Sequence, residues 1–76
     1  MLNIAYTTHA QERMMQRAVA KYQVERALKQ TKKVNSDPAT GDYYIDERIE
    51  GKLLRVAFAT NQEDRSVVIK TVFWKN

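Results

Sequence analysis

The chain of 76 residues has no cysteine, one proline, two glycines, one histidine and one tryptophan. Without cysteine there is no disulfide framework and no thiolate metal site. A single histidine leaves no donor set for a transition metal, so the expectation is a protein with no metal and no cofactor. Gly41 and Gly51 stand alone, which excludes a glycine-rich phosphate loop. Ser36 and Ser66 lie in turn-like surroundings with no second histidine, which excludes a Ser–His triad. Asp46 and Glu47 are strand neighbours pointing to opposite faces, not a carboxylate pair. No apolar run approaches the ~20 residues that span a bilayer. The opening Met1-Leu2-Asn3-Ile4 lacks the charged and apolar regions of a signal peptide, and the expectation is a soluble cytoplasmic protein without membrane contact.

What is present fits one domain, residues 1–76. A chain this short buries only about 60% of its unfolded surface. With no crosslinks, a partner or association into a homodimer is a source of further stability. The net charge is +4, and it is unevenly placed. Residues 1–33 carry seven Lys/Arg against two Glu, whereas residues 34–76 carry six basic and seven acidic groups. A cationic first half favours a polyanionic partner, either nucleic acid or an acidic protein.

The segment Thr8-His9-Ala10-Gln11-Glu12-Arg13-Met14-Met15-Gln16-Arg17 is the most informative. Thr8 is placed to cap a helix, with Gln11 three residues on closing a capping box. At ~100° per residue, His9, Arg13, Arg17, Ala10 and Met14 fall within roughly 140° of one face. Arginines beside core residues are either preorganised for an anion or boundary side chains lying along apolar neighbours. The spacing leaves both open.

A short strand is expected at Asn3–Tyr6, helices at Thr8–Arg17 and Lys21–Gln30, and a short strand at Lys32–Asn35. Ser36–Gly41 is a turn cluster. Strands then follow at Tyr43–Ile49, Lys52–Thr60 and Arg65–Trp74, the first two joined by a Glu50-Gly51 hairpin turn. The fold class is α+β, two N-terminal helices packed on one face of an antiparallel sheet. The turn pairs Ile45 with Val56 and Tyr43 with Phe58. A loop at Asn61–Asp64 sets Val67 opposite Phe58 and Ile69 opposite Val56. The other face then holds Tyr44, Asp46, Arg48, Leu53, Arg55, Ala57, Val68, Lys70 and Val72, with Trp74 at its end. Arg55 lies between Asp46 and Lys70. This is either a charged ladder on a solvated face or a phosphate cradle with Tyr44 and Trp74 for base stacking.

The pattern Thr-x-His-Ala-x-x-Arg-Met-x-x-Arg, carried by Thr7, His9, Ala10, Arg13, Met14 and Arg17, is followed by a second short helix. A Tyr-rich strand, an arginine-bearing strand and a closing Val72-Phe73-Trp74-Lys75 complete it. The chain thereby resembles an uncharacterised family of small domains related to the RelE, ParE and BrnT toxins. The resemblance covers nearly all of it. It implies a RelE-like fold, often used by ribonuclease toxins that cut RNA without a metal, and marks His9, Arg13 and Arg17 as signature positions. It also implies RNA as substrate, on or off the ribosome, and an acidic antitoxin protein as partner. The chain departs from similar sequences at Ala18, often Gly, and at Ala20, often Ser or Asp. It also lacks the C-terminal tyrosine on which RelE-type toxins rely.

Metal-independent RNA cleavage needs a base for the 2′-OH, cations for the phosphorane and an acid for the 5′-oxygen. Histidine is the side-chain type that exchanges protons near neutral pH, so His9 is the candidate base and Arg13 its catalytic neighbour. Arg17, Arg55, Lys70, Tyr44 and Trp74 are the candidate substrate-binding residues. The alternative is a non-catalytic domain of the same fold that binds nucleic acid or an acidic protein.

Overall fold

A computed structural model describes residues 3–61 and 63–75. Met1, Leu2, Gln62 and Asn76 lie outside the described residues, as do the parts of the expected N-terminus and last loop that fall on them. The order of elements is β1 (Asn3–Tyr6), α1 (Thr8–Gln16), α2 (Lys21–Gln30), β2 (Asn35–Ser36), β3 (Tyr43–Ile49), β4 (Lys52–Asn61) and β5 (Ser66–Lys75).

The cap of α1 is Thr7, one residue before the expected Thr8: its Oγ1 accepts from the Ala10 N–H at 3.0 Å. Thr7 also donates its own N–H to the Ile69 carbonyl at 3.2 Å. It is therefore the last residue held by the sheet and keeps the extended backbone a cap requires. Gln11 closes no box; its Nε2 donates to the Tyr6 carbonyl at 3.3 Å.

At the other end α1 stops in a Schellman turn. Val19 N–H reaches the Met14 carbonyl at 2.8 Å and Ala18 N–H the Met15 carbonyl at 3.5 Å, and Met14 and Val19 are both buried beneath it. That turn demands a left-handed residue, and Ala18 supplies it with φ of 54°. Ala20 is the cap residue before α2, and its N–H donates to Gln23 Oε1 at 2.8 Å. Alanine has no side-chain oxygen, so only half of a capping box forms.

The sheet order is β1-β5-β4-β3-β2, and β1 runs parallel to β5. The expected antiparallel sheet is thus a mixed one. A four-residue edge strand carries no local mark of its direction, which follows from where the helices deliver the later strands. The expected strand at Lys32–Asn35 is instead Asn35–Ser36, paired with Tyr44 and Tyr43. A tight turn fixes that position: Asp37 N–H meets the Asp42 carbonyl and Gly41 N–H the Asp37 carbonyl, each at 2.8 Å.

The Glu50-Gly51 hairpin forms as expected, with φ of 53° and 84°, the left-handed pair of a type I′ turn. Ile45 faces Val56 and Tyr43 faces Phe58. The β4–β5 register differs from the expectation. Strand β4 continues to Asn61, which pairs with Ser66, so Val67 lies opposite Thr60 and Ile69 opposite Phe58. A bulge follows: Ala57 pairs with Thr71 and Phe58 with Ile69, leaving Lys70 unpaired between them. One extra residue reverses every later side chain. Val72 consequently faces Val56 in the core and is wholly buried, and Trp74 follows it to that side. Phe73, not Lys70, takes the place opposite Arg55. The like-charge pair does not exist.

Ala10, Met14, Val24 and Ala27 of the helices join Ile45, Ile49, Leu54, Val56, Phe58, Val67, Ile69 and Val72 of the strands in one apolar cluster, with Val19 at the helix junction. Helix α1 lies against β5 and α2 against β3. The face of the strands turned from this cluster carries the alternate residues, Tyr44, Asp46, Arg55 and Phe73 among them.

Candidate functional site

Ala10 and Met14 anchor α1 in the core, which sets its neighbouring positions along the rim. His9 is exposed there and its Nε2 accepts from Arg13 Nε at 3.4 Å; Arg13 also donates to Gln16 Oε1 at 2.9 Å. These two candidate residues are brought together.

Arg17 behaves differently. Among the described residues β1 pairs only with Ser66–Ile69 of β5, and the edge of β5 beyond that point has no strand partner there. Arg17 closes part of it by donating to the Val72 carbonyl at 2.8 Å, and Trp74 Nε1 donates to the Arg17 carbonyl at 2.9 Å. The guanidinium then reaches past the edge to the Phe73 ring, 5.7 Å from its centroid. Along α1, Arg17 is ~12 Å from His9 at ~1.5 Å per residue.

On the sheet face, Asp46 and Arg55 pair across β3 and β4, as the hairpin register requires. The fork is bidentate: Arg55 Nε to Asp46 Oδ1 is 2.7 Å and Arg55 Nη2 to Oδ2 is 2.8 Å. Lys75 Nζ stands 3.4 Å from the same Oδ2. The Arg55 hydrogen bond holds the Asp46 carboxyl below its ordinary pKa, with Lys75 adding to the effect, while partial burial opposes it. Arg55 also stacks on Tyr44, 4.3 Å to the centroid, and lies 5.8 Å from the centroid of Phe73.

Phe73 is therefore the meeting point. Arg17 from the end of α1 and Arg55 from β4 both contact its ring. An open cleft of about 560 Å³ lined by Arg17, Phe73 and Trp74 lies at this edge. Lys52 Nζ approaches the Trp74 ring at 5.7 Å.

Of the candidate residues, Arg17, Arg55 and Tyr44 gather on the Phe73 side of the sheet, while Trp74, turned to the core side, meets Arg17 and Phe73 at the cleft along the β5 edge. His9 and Arg13 form a separate pair farther along α1, and Lys70 projects alone from the bulge, exposed. Phe73 and Lys75 escaped the sequence reasoning because the bulge reverses their side. Chemically, the cluster offers two planar cations able to hold phosphate oxygens and aromatic rings for bases, with one fork filled by Asp46.

Comparison with curated proteins and with solved structures finds no match. A family model described as a domain of unknown function, DUF4258, matches residues 6–74, from the Tyr6 that leads into α1 to the Trp74 that closes the cleft, and the chain belongs to that family.

Proposed function

We propose that this domain acts on RNA as a metal-independent ribonuclease of toxin type, with a RelE-like arrangement in which both helices lie on the same face of the sheet. The observation that carries the reading is the Phe73 ring shared by Arg17 and Arg55, two guanidinium groups from different elements. Guanidinium forks match phosphate oxygens bidentately, and aromatic rings stack on unpaired bases. In this scheme Arg17 and Arg55 hold the strand, with Tyr44 beside Arg55 on the sheet face and Trp74 beside Arg17 at the edge. The strand continues along α1 to His9 and Arg13. There His9 takes the 2′-OH proton, the 2′-oxygen attacks the adjacent phosphorus, and Arg13 stabilises the phosphorane. The departing 5′-oxygen takes its proton from water, leaving a 2′,3′-cyclic phosphate.

Expression in a bacterial host is expected to arrest growth, and purified protein to leave RNA ends bearing 2′,3′-cyclic phosphate. Arg13→Ala is expected to lower the cleavage rate by 10²–10³-fold, the effect of losing a well-placed transition-state donor, about 2.7–4 kcal/mol. An acidic antitoxin is the expected neutralising partner.

A second reading, binding without turnover, is favoured by the separation of His9 from the cleft. It stands if RNA and ribosome-bound message remain intact while His9→Ala binds RNA as tightly as the unaltered protein.

A further inference from the structure

The net charge of the protein is concentrated in one short segment. Residues 21–33 carry Lys21, Arg26, Lys29, Lys32 and Lys33 against Glu25 alone, a net +4 that equals the charge of the whole chain. All five cations are exposed. None of them is ion-paired among the described residues, where both salt bridges converge on Asp46.

The fold lays four of these charges out as a strip, whereas Lys21 turns aside to the Tyr6 ring, 5.2 Å from its centroid. Val24 and Ala27 are wholly buried and hold α2 to the core. At ~100° per residue, Tyr22, Arg26 and Lys29 share the opposite side. An open hollow lined by Tyr22, Glu25, Arg26, Lys29 and Gln30 runs along it. Lys32 and Lys33 prolong the strip through the coil before β2.

This strip is remote from the Phe73 cleft. Val24 and Ala27 pack in the cluster with Ile45 and Val56, while Asp46 and Arg55 alternate with those strand residues on the far side of the sheet. The domain measures 34 × 29 × 25 Å, so a strand seated at Phe73 reaches α2 only by wrapping around the protein.

We infer that the solvent face of α2, continued through Lys33, docks the phosphate backbone of a nucleic-acid duplex without reading its sequence. Composition chooses this occupant over an acidic protein. Four of the five cations are lysines, and protein interfaces are depleted in lysine and enriched in arginine and aromatic anchors. Backbone docking needs positive charge alone. The one exposed aromatic there, Tyr22, is tethered through its hydroxyl to Glu50 Oε1 at 2.8 Å and is not free to enter a partner's pocket. Docking uses none of the residues proposed for cleavage and needs no turnover.

The test is a fluorescence-anisotropy titration with an RNA duplex of about 20 base pairs and arbitrary sequence, between roughly 50 and 200 mM salt. The logarithm of the association constant is expected to fall linearly with the logarithm of salt. Lys29→Gln, Lys32→Gln and Lys33→Gln together are expected to weaken binding at least ~tenfold at the low-salt end and to flatten the slope by ~2.7, about 0.9 for each phosphate no longer neutralised. These side chains are exposed, and an unchanged circular dichroism spectrum confirms the fold. Arg65→Gln, outside the strip, is expected to keep the original slope. A triple variant with unaltered affinity and slope would overturn the inference, as would an equal loss per charge in Arg65→Gln. Tighter binding of a polyglutamate peptide than of the duplex would also sink it, assigning the strip to a protein. Because duplex binding is read without cleavage, an inactive protein leaves this result interpretable.

Discussion

Asp46 shows how one side chain can favour stability while opposing the proposed binding. It fills the fork of Arg55 and contacts Lys75, so any phosphate entering there must displace a carboxylate. Asp46→Asn removes that competitor, and RNA affinity is expected to rise in a filter-binding assay; unchanged or weaker binding would remove Arg55 from the proposed site. The same pair makes stability depend on pH. The Asp46 pKa is lowered in the folded state by Arg55, so its contribution is fully present above the ordinary carboxylate range. It is lost as pH falls through the lowered value. Urea midpoints between neutral and strongly acidic pH should therefore fall less steeply in Asp46→Asn. Tyr6 is the opposite case. Its hydroxyl is buried without a hydrogen-bond partner among the described residues, and burial raises its pKa, with Glu25 adding to the rise. Tyr6→Phe removes an unmet polar group and is expected to raise stability by about 1 kcal/mol in urea denaturation. The Asp46–Arg55 pairing was legible in the sequence, because a two-residue turn fixes the register beside it. The unpartnered Tyr6 hydroxyl was not, because its surroundings come from other elements.

At the level of elements, the helix junction is where the chain uses less than the best residues. Ala18 holds a left-handed conformation at the Schellman turn, a position costing a residue with a Cβ roughly 1–2 kcal/mol. Ala18→Gly is expected to raise thermal stability by about 1 kcal/mol, and a decrease would show that the turn is not strained. Ala20 caps α2 with no side-chain bond. Ala20→Ser is expected to add about 1 kcal/mol, read as a higher urea midpoint with unchanged slope. Both positions stood out in the sequence because the resemblance implies that Gly, and a capping Ser or Asp, is often expected there; the left-handed Ala18 and the Ala20 cap without a side-chain bond give such residues a physical reason. The extents of α1 and α2 were also legible within a residue, since Ala10, Met14, Val24 and Ala27 recur at helical spacing. The bulge at Lys70 was not. Alternation across Val67, Ile69 and Val72 breaks by one residue, and nothing local distinguishes a bulge from a slipped loop.

Over the whole molecule, the core is one thin layer, and stability rests on few side chains. Leu54 is wholly buried within it, and Leu54→Ala is expected to cost about 2–5 kcal/mol. Against a total of about 5–15 kcal/mol for native domains, that leaves a large unfolded fraction near 37 °C, visible as a lowered Tm. The two cationic regions have different anatomies. Around Phe73, cations from separate elements are fixed by rings, a carbonyl and a carboxylate; along α2 and the coil after it, Arg26, Lys29, Lys32 and Lys33 are exposed and without an ion pair among the described residues. The first suits oriented phosphate contacts, the second a strongly salt-dependent attraction.

What the sequence determined by itself was local: two amphipathic helices, a hairpin set by Glu50-Gly51, the pairing of Asp46 with Arg55, and a cationic first half. Each depends on residues close in the chain or on one tight turn, where spacing and backbone preference suffice. The tertiary structure alone decided the parallel edge strand, the bulge that turns Phe73 outward and Val72 and Trp74 inward, and the reach of Arg17 around the edge of β5 to meet Arg55. These contacts join residues far apart in the chain. Their geometry is set by how the helices bury their apolar sides against the strands, a collective packing condition that no short stretch of sequence encodes.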